Sequence, residues 1–168
     1  HCAGVGLAGP AAEVAPAAVE RLVAVNLAAP LLLTRALLPG LLERRRGHLV
    51  FVASIAGHVG VKGEAVYAAT KGGLITFAES LQQELAGSGV GVTLVSPGVV
   101  DTPFFEHRGS PYARSRPRPV PPEPLAREIA DAIEAGRAHV IVPRWLGLPL
   151  RLHGLLPGFY RSLARRFG

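Results

Sequence analysis

Tyr67 and Lys71 stand four residues apart in Tyr67-Ala68-Ala69-Thr70-Lys71, downstream of Ser54. On a helix that spacing is one turn, about 6 Å of rise, and it puts a phenol and an ammonium on one face. A phenol titrating near ~10 is a poor acid–base group at neutral pH. A fixed positive charge beside it favours the phenolate and draws that value down. Closing a gap of about 3 pKa units takes roughly 4 kcal/mol of differential stabilisation. An ammonium in a poorly solvated cleft supplies much of this, and a nearby cofactor charge supplies the rest. The pair reads as a proton donor or acceptor working on a hydroxyl or a carbonyl.

Such a pair works only if rigid elements aim it. Helical periodicity runs from about Pro16 to Leu38 through Val19, Leu22, Val23, Leu27 and Leu31, and Pro39-Gly40 is read as its stop. The short apolar run His48 to Ala53 suits a strand buried on both faces, with Ser54 at its carboxyl end. A Gly-rich loop, Gly57 to Gly63, leads into a helix from about Val66 to Ala86, ended by Gly87-Ser88-Gly89. A second buried-type strand, Val90 to Val95, stops at Ser96-Pro97-Gly98. Residues 103–122 are rich in Pro and Arg and predict a long loop. A helix over Pro124 to Ala135 and a strand over His139 to Val142 follow. Alternating buried strands and amphipathic helices predict an α/β fold with helices on both faces of a parallel sheet. Ligands of such sheets bind beyond the carboxyl ends of the strands. Ser54, Pro97-Gly98 and Ala3-Gly4, read as the end of an earlier strand, all fall on that rim.

At 168 residues and 49% hydrophobic content the chain can bury a core, so disorder is not expected. No stretch of about 18 apolar residues is free of charge, so no transmembrane helix is predicted. His1-Cys2-Ala3-Gly4 has no basic leader, and the chain holds no Met, which predicts that an N-terminal part is missing. One cysteine excludes an intramolecular disulfide and a cysteine-built metal site, and no metal is expected. A reducing, cytoplasmic setting is the default. The net charge of +6 clusters at Arg44-Arg45-Arg46, from Arg108 to Arg118 and after Arg144. No zinc-finger spacing or RNA-binding aromatic motif accompanies these clusters, so they read as solvated surface and no nucleic-acid partner is expected.

Asn26 within Val25-Asn26-Leu27, Ser54, Tyr67-x-x-x-Lys71 and Pro97-Gly98-Val99-Val100-Asp101-Thr102-Pro103 resemble, in order and spacing, the short-chain dehydrogenase/reductase family. The resemblance covers about residues 3 to 143. It implies a Rossmann-like doubly wound parallel sheet, here incomplete, with the first strands and helices missing. It implies that Tyr67 is the general acid–base and that Lys71 lowers its pKa and holds the nicotinamide ribose. Ser54 would hydrogen-bond the substrate oxygen, and Asn26 would hold a proton-relaying water. Ala3, Gly4, Tyr67 and Lys71 would line the cofactor site, while Pro97, Gly98, the backbone near Val100, and Thr102 would fix the nicotinamide. The implied cofactor is NAD or NADP, and the implied reaction interconverts a secondary alcohol and a ketone, with Phe104 and Phe105 in loop 103–122 hinting at a lipophilic substrate. A homo-oligomer through helices 16–38 and 66–86 is expected.

Bland readings stand beside these. Asn is disfavoured inside a helix, so Asn26 marks a function or a kink. Ser54 also fits a helix N-cap, and Thr102 fits the cap of a following turn. His58 and His107 read as solvated loop residues. Two departures from the family pattern stand out. Gly4-Val5-Gly6-Leu7-Ala8-Gly9 has no strand before it and no capped helix directly after it, so it is not a phosphate cradle. Cys2 replaces the asparagine usual before Ala-Gly. The segment separating NAD from NADP is thus expected to lie outside this chain, and the chain alone to be unstable or inactive. A catalytically inactive binding or assembly module is the alternative. Residues 144–168 form a basic amphipathic extension broken by Pro157, with Leu152, Leu155, Leu156, Phe159, Tyr160, Leu163 and Phe167 at helical spacing. It suits peripheral contact with an anionic membrane, or packing over the cleft or a neighbouring subunit.

Overall fold

The computed structural model describes residues 1–112, 117–156 and 158. Three strands, β1 (Gly47–Val52), β2 (Val90–Pro97) and β3 (His139–Val142), form a parallel sheet in the order β1-β2-β3. The register pairs Val52 with Val95 and Val95 with Val140, so the carboxyl ends of the strands share one rim. Leu49, Phe51, Val92 and Leu94 pack with Leu74, Ala78 and Leu81 of α3 (Ala65–Glu84). On the other face Val95 and Val140 pack with Leu125 and Ala132 of α5 (Pro122–Glu134). Helices thus cover both faces, which is why the strands read as near-continuous apolar runs. The architecture is α/β, Rossmann-like and doubly wound.

The long N-terminal helix departs from its expected end. It joins α1 (Pro16–Val23), a π-helical segment (Ala24–Ala28) and α2 (Ala29–Glu43) without a break. Pro39-Gly40 does not stop it. Pro39 removes one backbone donor, but Leu38 and Leu41 on either side of this pair pack into the core under β1. Tertiary burial outweighs the local breaker. The stop falls at Arg44, whose guanidinium donates to the carbonyls of Gly40 at 2.7 Å and Arg46 at 3.1 Å. Arg45 follows with φ +50°. By length and composition alone the helix Pro16–Glu43 is apolar enough to cross a membrane. In this fold it buries Leu22, Asn26, Thr34 and Leu41 within the domain.

β2 runs two residues past its expected end because Ser96 and Pro97 pair with Ile141 and Val142 of β3. Pro97 lacks an N–H, and the Gly98 N–H supplies the bond to the Val142 carbonyl at 2.7 Å. The expected loop 103–122 contains one helical turn, α4 (Phe104–His107). Val100 bridges Val120 at the base of this segment. The Asp101 N–H donates to Val120 O at 2.8 Å and the Val120 N–H to Val99 O at 2.9 Å, which ties its two ends together.

After β3, a turn over Arg144–Leu146 buries Leu146, and α6 (Gly147–Leu155) follows. Leu146 packs where a side chain on Gly98 would have to go, since a Cβ there would lie 2.6 Å from Leu146 Cδ1. Leu148, Leu155 and Leu156 are exposed. The expected second helical piece, with Phe159, Tyr160, Leu163 and Phe167, lies outside the described residues, as does Pro157.

Candidate active site

Ser54 leaves the carboxyl end of β1 and caps a one-turn helix, Ile55–Gly57. Its Oγ accepts the Ala56 N–H at 3.2 Å. The capping reading is therefore met, and it also aims the residue: with one lone pair engaged by the Ala56 N–H, the hydroxyl proton points to the Tyr67 side of the cleft. Gly57 lets α3 come close. A Cβ at Gly57 would stand 2.6 Å from the backbone carbon of Lys71 and 2.8 Å from the nitrogen of Gly72. That contact holds the Ser54 turn against the helix turn carrying Lys71.

Tyr67 and Lys71 lie on α3, both buried. The Tyr67 phenol shares a hydrogen bond with the Ser54 side chain. Lys71 Nζ sits 5.9 Å from the Tyr67 ring centroid and donates to the Val52 carbonyl at 2.9 Å. The sheet edge thereby fixes the ammonium in the cleft. Burial pushes the Tyr67 phenol up to about 12, against the opposing effects of the Ser54 hydrogen bond and the Arg108 charge, while the Glu64 carboxylate raises it further. Burial also pulls Lys71 down to about 8. The expected lowering of the phenol by Lys71 is not among the effects that act on it; desolvation dominates and penalises phenolate and ammonium alike. At neutral pH the phenol keeps its proton.

Asn26 is fully buried in the π-helical segment. Its Oδ1 accepts the Val5 N–H at 2.8 Å, and its Nδ2 donates to Val5 O at 2.9 Å and to Thr70 Oγ1 at 3.2 Å. The π-bulge turns the amide inward, a frequent feature at functional sites. Asn26 thus joins the irregular segment at Val5, where no strand forms among the described residues, to α3 one residue before Lys71. Gly4 sits between the two groups, with a Cβ there lying 3.4 Å from both Asn26 Oδ1 and Lys71 Nζ.

One cavity of about 770 Å³ at the strand-end rim is lined by Ser54, Tyr67, Lys71 and Gly4, with Pro97, Gly98, Val100 and Thr102 on its far side. Ala3 is exposed and is not among the lining residues, whereas Cys2 is. Thr102 is exposed and caps nothing: α4 has Pro103 at its N-cap and no side-chain cap bond. Phe104 and Phe105 also line it, with the Phe104 ring packed 5.6 Å from that of Tyr67.

Sequence reasoning missed two further charged residues that line the cavity, Glu64 and Arg108, which meet in a partly buried ion pair. Arg108 looked like one of several solvated arginines, and only its fall beside two phenylalanines hinted otherwise. His58 is not a solvated loop residue either. Its Nε2 lies 2.8 Å from the buried Ser96 hydroxyl and its ring stacks on His139 at 5.5 Å. Burial, with the His139 charge, lowers it to about 4, so it is neutral at physiological pH and ties the Ser54 turn to β2.

A sequence model of the short chain dehydrogenase family matches residues 1–113. The chain belongs to the short-chain dehydrogenase family. This short-chain dehydrogenase is 38% identical over 139 residues to an uncharacterised oxidoreductase of Myxococcus xanthus, covering 78% of this chain and 51% of the relative. It is 42% identical over 98 residues to the ketoacyl reductase HetN of a Nostoc species, covering 58% of this chain and 34% of that protein. The chain spans about half or less of the length of these curated relatives. Its fold matches a short chain dehydrogenase of Burkholderia cenocepacia solved in complex with NADP, with TM-score 0.82 and 23% identity, over 99% of this chain and 66% of the other.

Proposed function

We infer that this short-chain dehydrogenase is an NAD(P)-dependent oxidoreductase that interconverts a secondary alcohol and a ketone on a lipophilic substrate. The observation that carries this reading is the meeting of Ser54, Tyr67 and Lys71 on one cavity that Phe104 and Phe105 also line. The dinucleotide seen with the Burkholderia relative is the source of the cofactor class. The residues present fit such a group. Gly4 leaves the space beside Lys71 Nζ clear of any Cβ, and Gly98, Val100 and Thr102 face the same space. Lys71 and Gly4 would hold the ribose side, and Pro97, Gly98, Val100 and Thr102 the nicotinamide side. Bound there, the cofactor supplies or accepts a hydride.

The chain's own residues handle the proton. In the reductive direction the protonated Tyr67 phenol gives its proton to the carbonyl oxygen as the carbonyl carbon gains the hydride. Ser54 donates a second hydrogen bond to the same oxygen and orients it, because its own oxygen is steadied by the Ala56 N–H. Lys71, held by the Val52 carbonyl, places a positive charge behind the phenol and favours the phenolate left after transfer. Asn26 keeps the Val5 segment and α3 in register, so Gly4 and Lys71 stay face to face. Phe104 and Phe105 exclude water from the reacting carbon. Exposed Leu32, Leu33 and Leu37 on α2 support self-association through helices 16–38 and 66–86.

The test is NADH and NADPH consumption, by the protein that joins this chain to the cofactor-binding segment expected outside it, across ketones of graded size and polarity. Apolar and aryl ketones are expected to show a kcat/KM at least about tenfold above that of equally sized hydroxylated or carboxylated ketones, the value of roughly 1.4 kcal/mol of wall contact. A preference for charged substrates would remove the lipophilic reading. No consumption with any carbonyl would remove the activity.

A further inference from the structure

Arg108, buried, and Glu64, half-buried, are charged residues of the cleft that the proton transfer itself does not use. Glu64 occupies the N-cap position of α3, three residues before Tyr67, yet its side chain caps nothing. Instead its Oε1 receives Arg108 Nη1 at 2.5 Å, with the two side chains only 19% and 9% exposed. Arg108 closes α4 and gathers the segment around it. Its Nε–H donates to Ser110 O at 3.0 Å, and its guanidinium lies 4.6 Å from the Phe105 ring centroid. Its carbonyl accepts the Ala8 N–H at 3.4 Å. Phe105 contacts Phe104 edge-on at 5.5 Å and Tyr112 at 5.2 Å. One ion pair therefore connects the start of α3, the aromatic segment and the loop after Gly4.

We propose that Glu64 and Arg108 are positioning residues of the cleft. Their ion pair latches residues 104–112 onto the N-terminal end of α3, so that Phe104 and Phe105 close over Tyr67 and select substrates by shape. A largely desolvated ion pair such as this one, with one partner buried and the other half-buried, adds little stability over an apolar pair of similar volume, so its presence is better explained by the geometry it fixes. The geometry is specific: Arg108 engages partners through Nη1 and Nε at once, which only a guanidinium fork can do. The pair also governs the charge around the phenol. Glu64 and Arg108 act on Tyr67 in opposite directions, alongside the Ser54 hydrogen bond, so either one left alone biases it.

The selective role rests on the reading of Tyr67 as the reacting group, so the tests read the protein itself and not only turnover. In Arg108→Met, amide hydrogen exchange of residues 104–112 is expected to rise about tenfold or more, with β1 and the body of α3 unchanged. Arg108→Lys, which keeps the charge without the fork, should fall between. Phenolate absorbance titration, with Tyr67→Phe as the blank, is expected to move down in Glu64→Gln and up in Arg108→Met. With a bulky apolar ketone, KM should rise more than kcat falls in Arg108→Met. Unchanged exchange in 104–112 for both Arg108 variants would overturn the latch, and so would Tyr67 titrations that move in the same direction in both charge variants. Should Tyr67→Phe prove fully active, the exchange and titration results still decide the latch.

Discussion

Replacing Tyr67 with phenylalanine is expected to lower kcat by roughly 10³-fold while leaving cofactor affinity within about twofold. The substitution removes one oxygen and nothing else of consequence. The ring is 7% exposed and is held by Phe104, so phenylalanine fills the same space. The Ser54 hydrogen bond is lost, at a stability cost of about 1 kcal/mol. Ser54 is a far weaker acid, and Lys71 is committed to the Val52 carbonyl. Steady-state rates with NADH or NADPH, paired with a cofactor fluorescence titration, check both halves of the expectation. A rate within about tenfold of the parent would mean that the proton comes from elsewhere.

Lys71→Met is expected to separate stability from activity. Lys71 is 4% exposed, and its folded value is about 8 against an ordinary 10.5. Between those values the unfolded chain holds a proton that the folded chain has released. Stability therefore rises with pH across that window, and the burial penalty on the ammonium is in full force below pH 8. A gap of that size corresponds to about 3 kcal/mol, of which the lost bond to Val52 returns about 1 kcal/mol. Lys71→Met should then be about 2 kcal/mol more stable than the parent at neutral pH, and its stability should lose the rise through the mildly alkaline range. Its turnover should fall by about 10²-fold or more, because the phenolate loses the positive charge behind it. Denaturant unfolding at neutral and alkaline pH reads the first effect, and turnover the second. A variant less stable at neutral pH, with the alkaline rise intact, would show that the ammonium is not strained by burial.

The parts of this site legible in the sequence are those set by local spacing. Tyr67 and Lys71 share a helix face by arithmetic, and Ser54 ends an apolar run that has nowhere to go but the sheet interior. Pro39-Gly40 misled because a breaker acts on a few tenths to a few kcal/mol, and the burial of Leu41 lay in contacts the local pattern does not contain. The phenol's direction of shift misled for a related reason. A neighbouring charge is visible in sequence, whereas the depth at which two groups are buried is a property of the whole fold. Arg108 and Glu64 are 44 residues apart, so their pairing had no local signature. The same is true of His58, whose partners Ser96 and His139 lie on two other strands.

The most direct measurement follows the hydrogens. An apolar ketone is incubated with the purified protein and NADH or NADPH deuterated at the transferable position, and the product is examined by mass spectrometry. The account predicts deuterium on the carbinol carbon of the alcohol, on one face only, and its loss in Tyr67→Phe. Alcohol carrying no deuterium, or equal labelling by Tyr67→Phe at an unchanged rate, would contradict it.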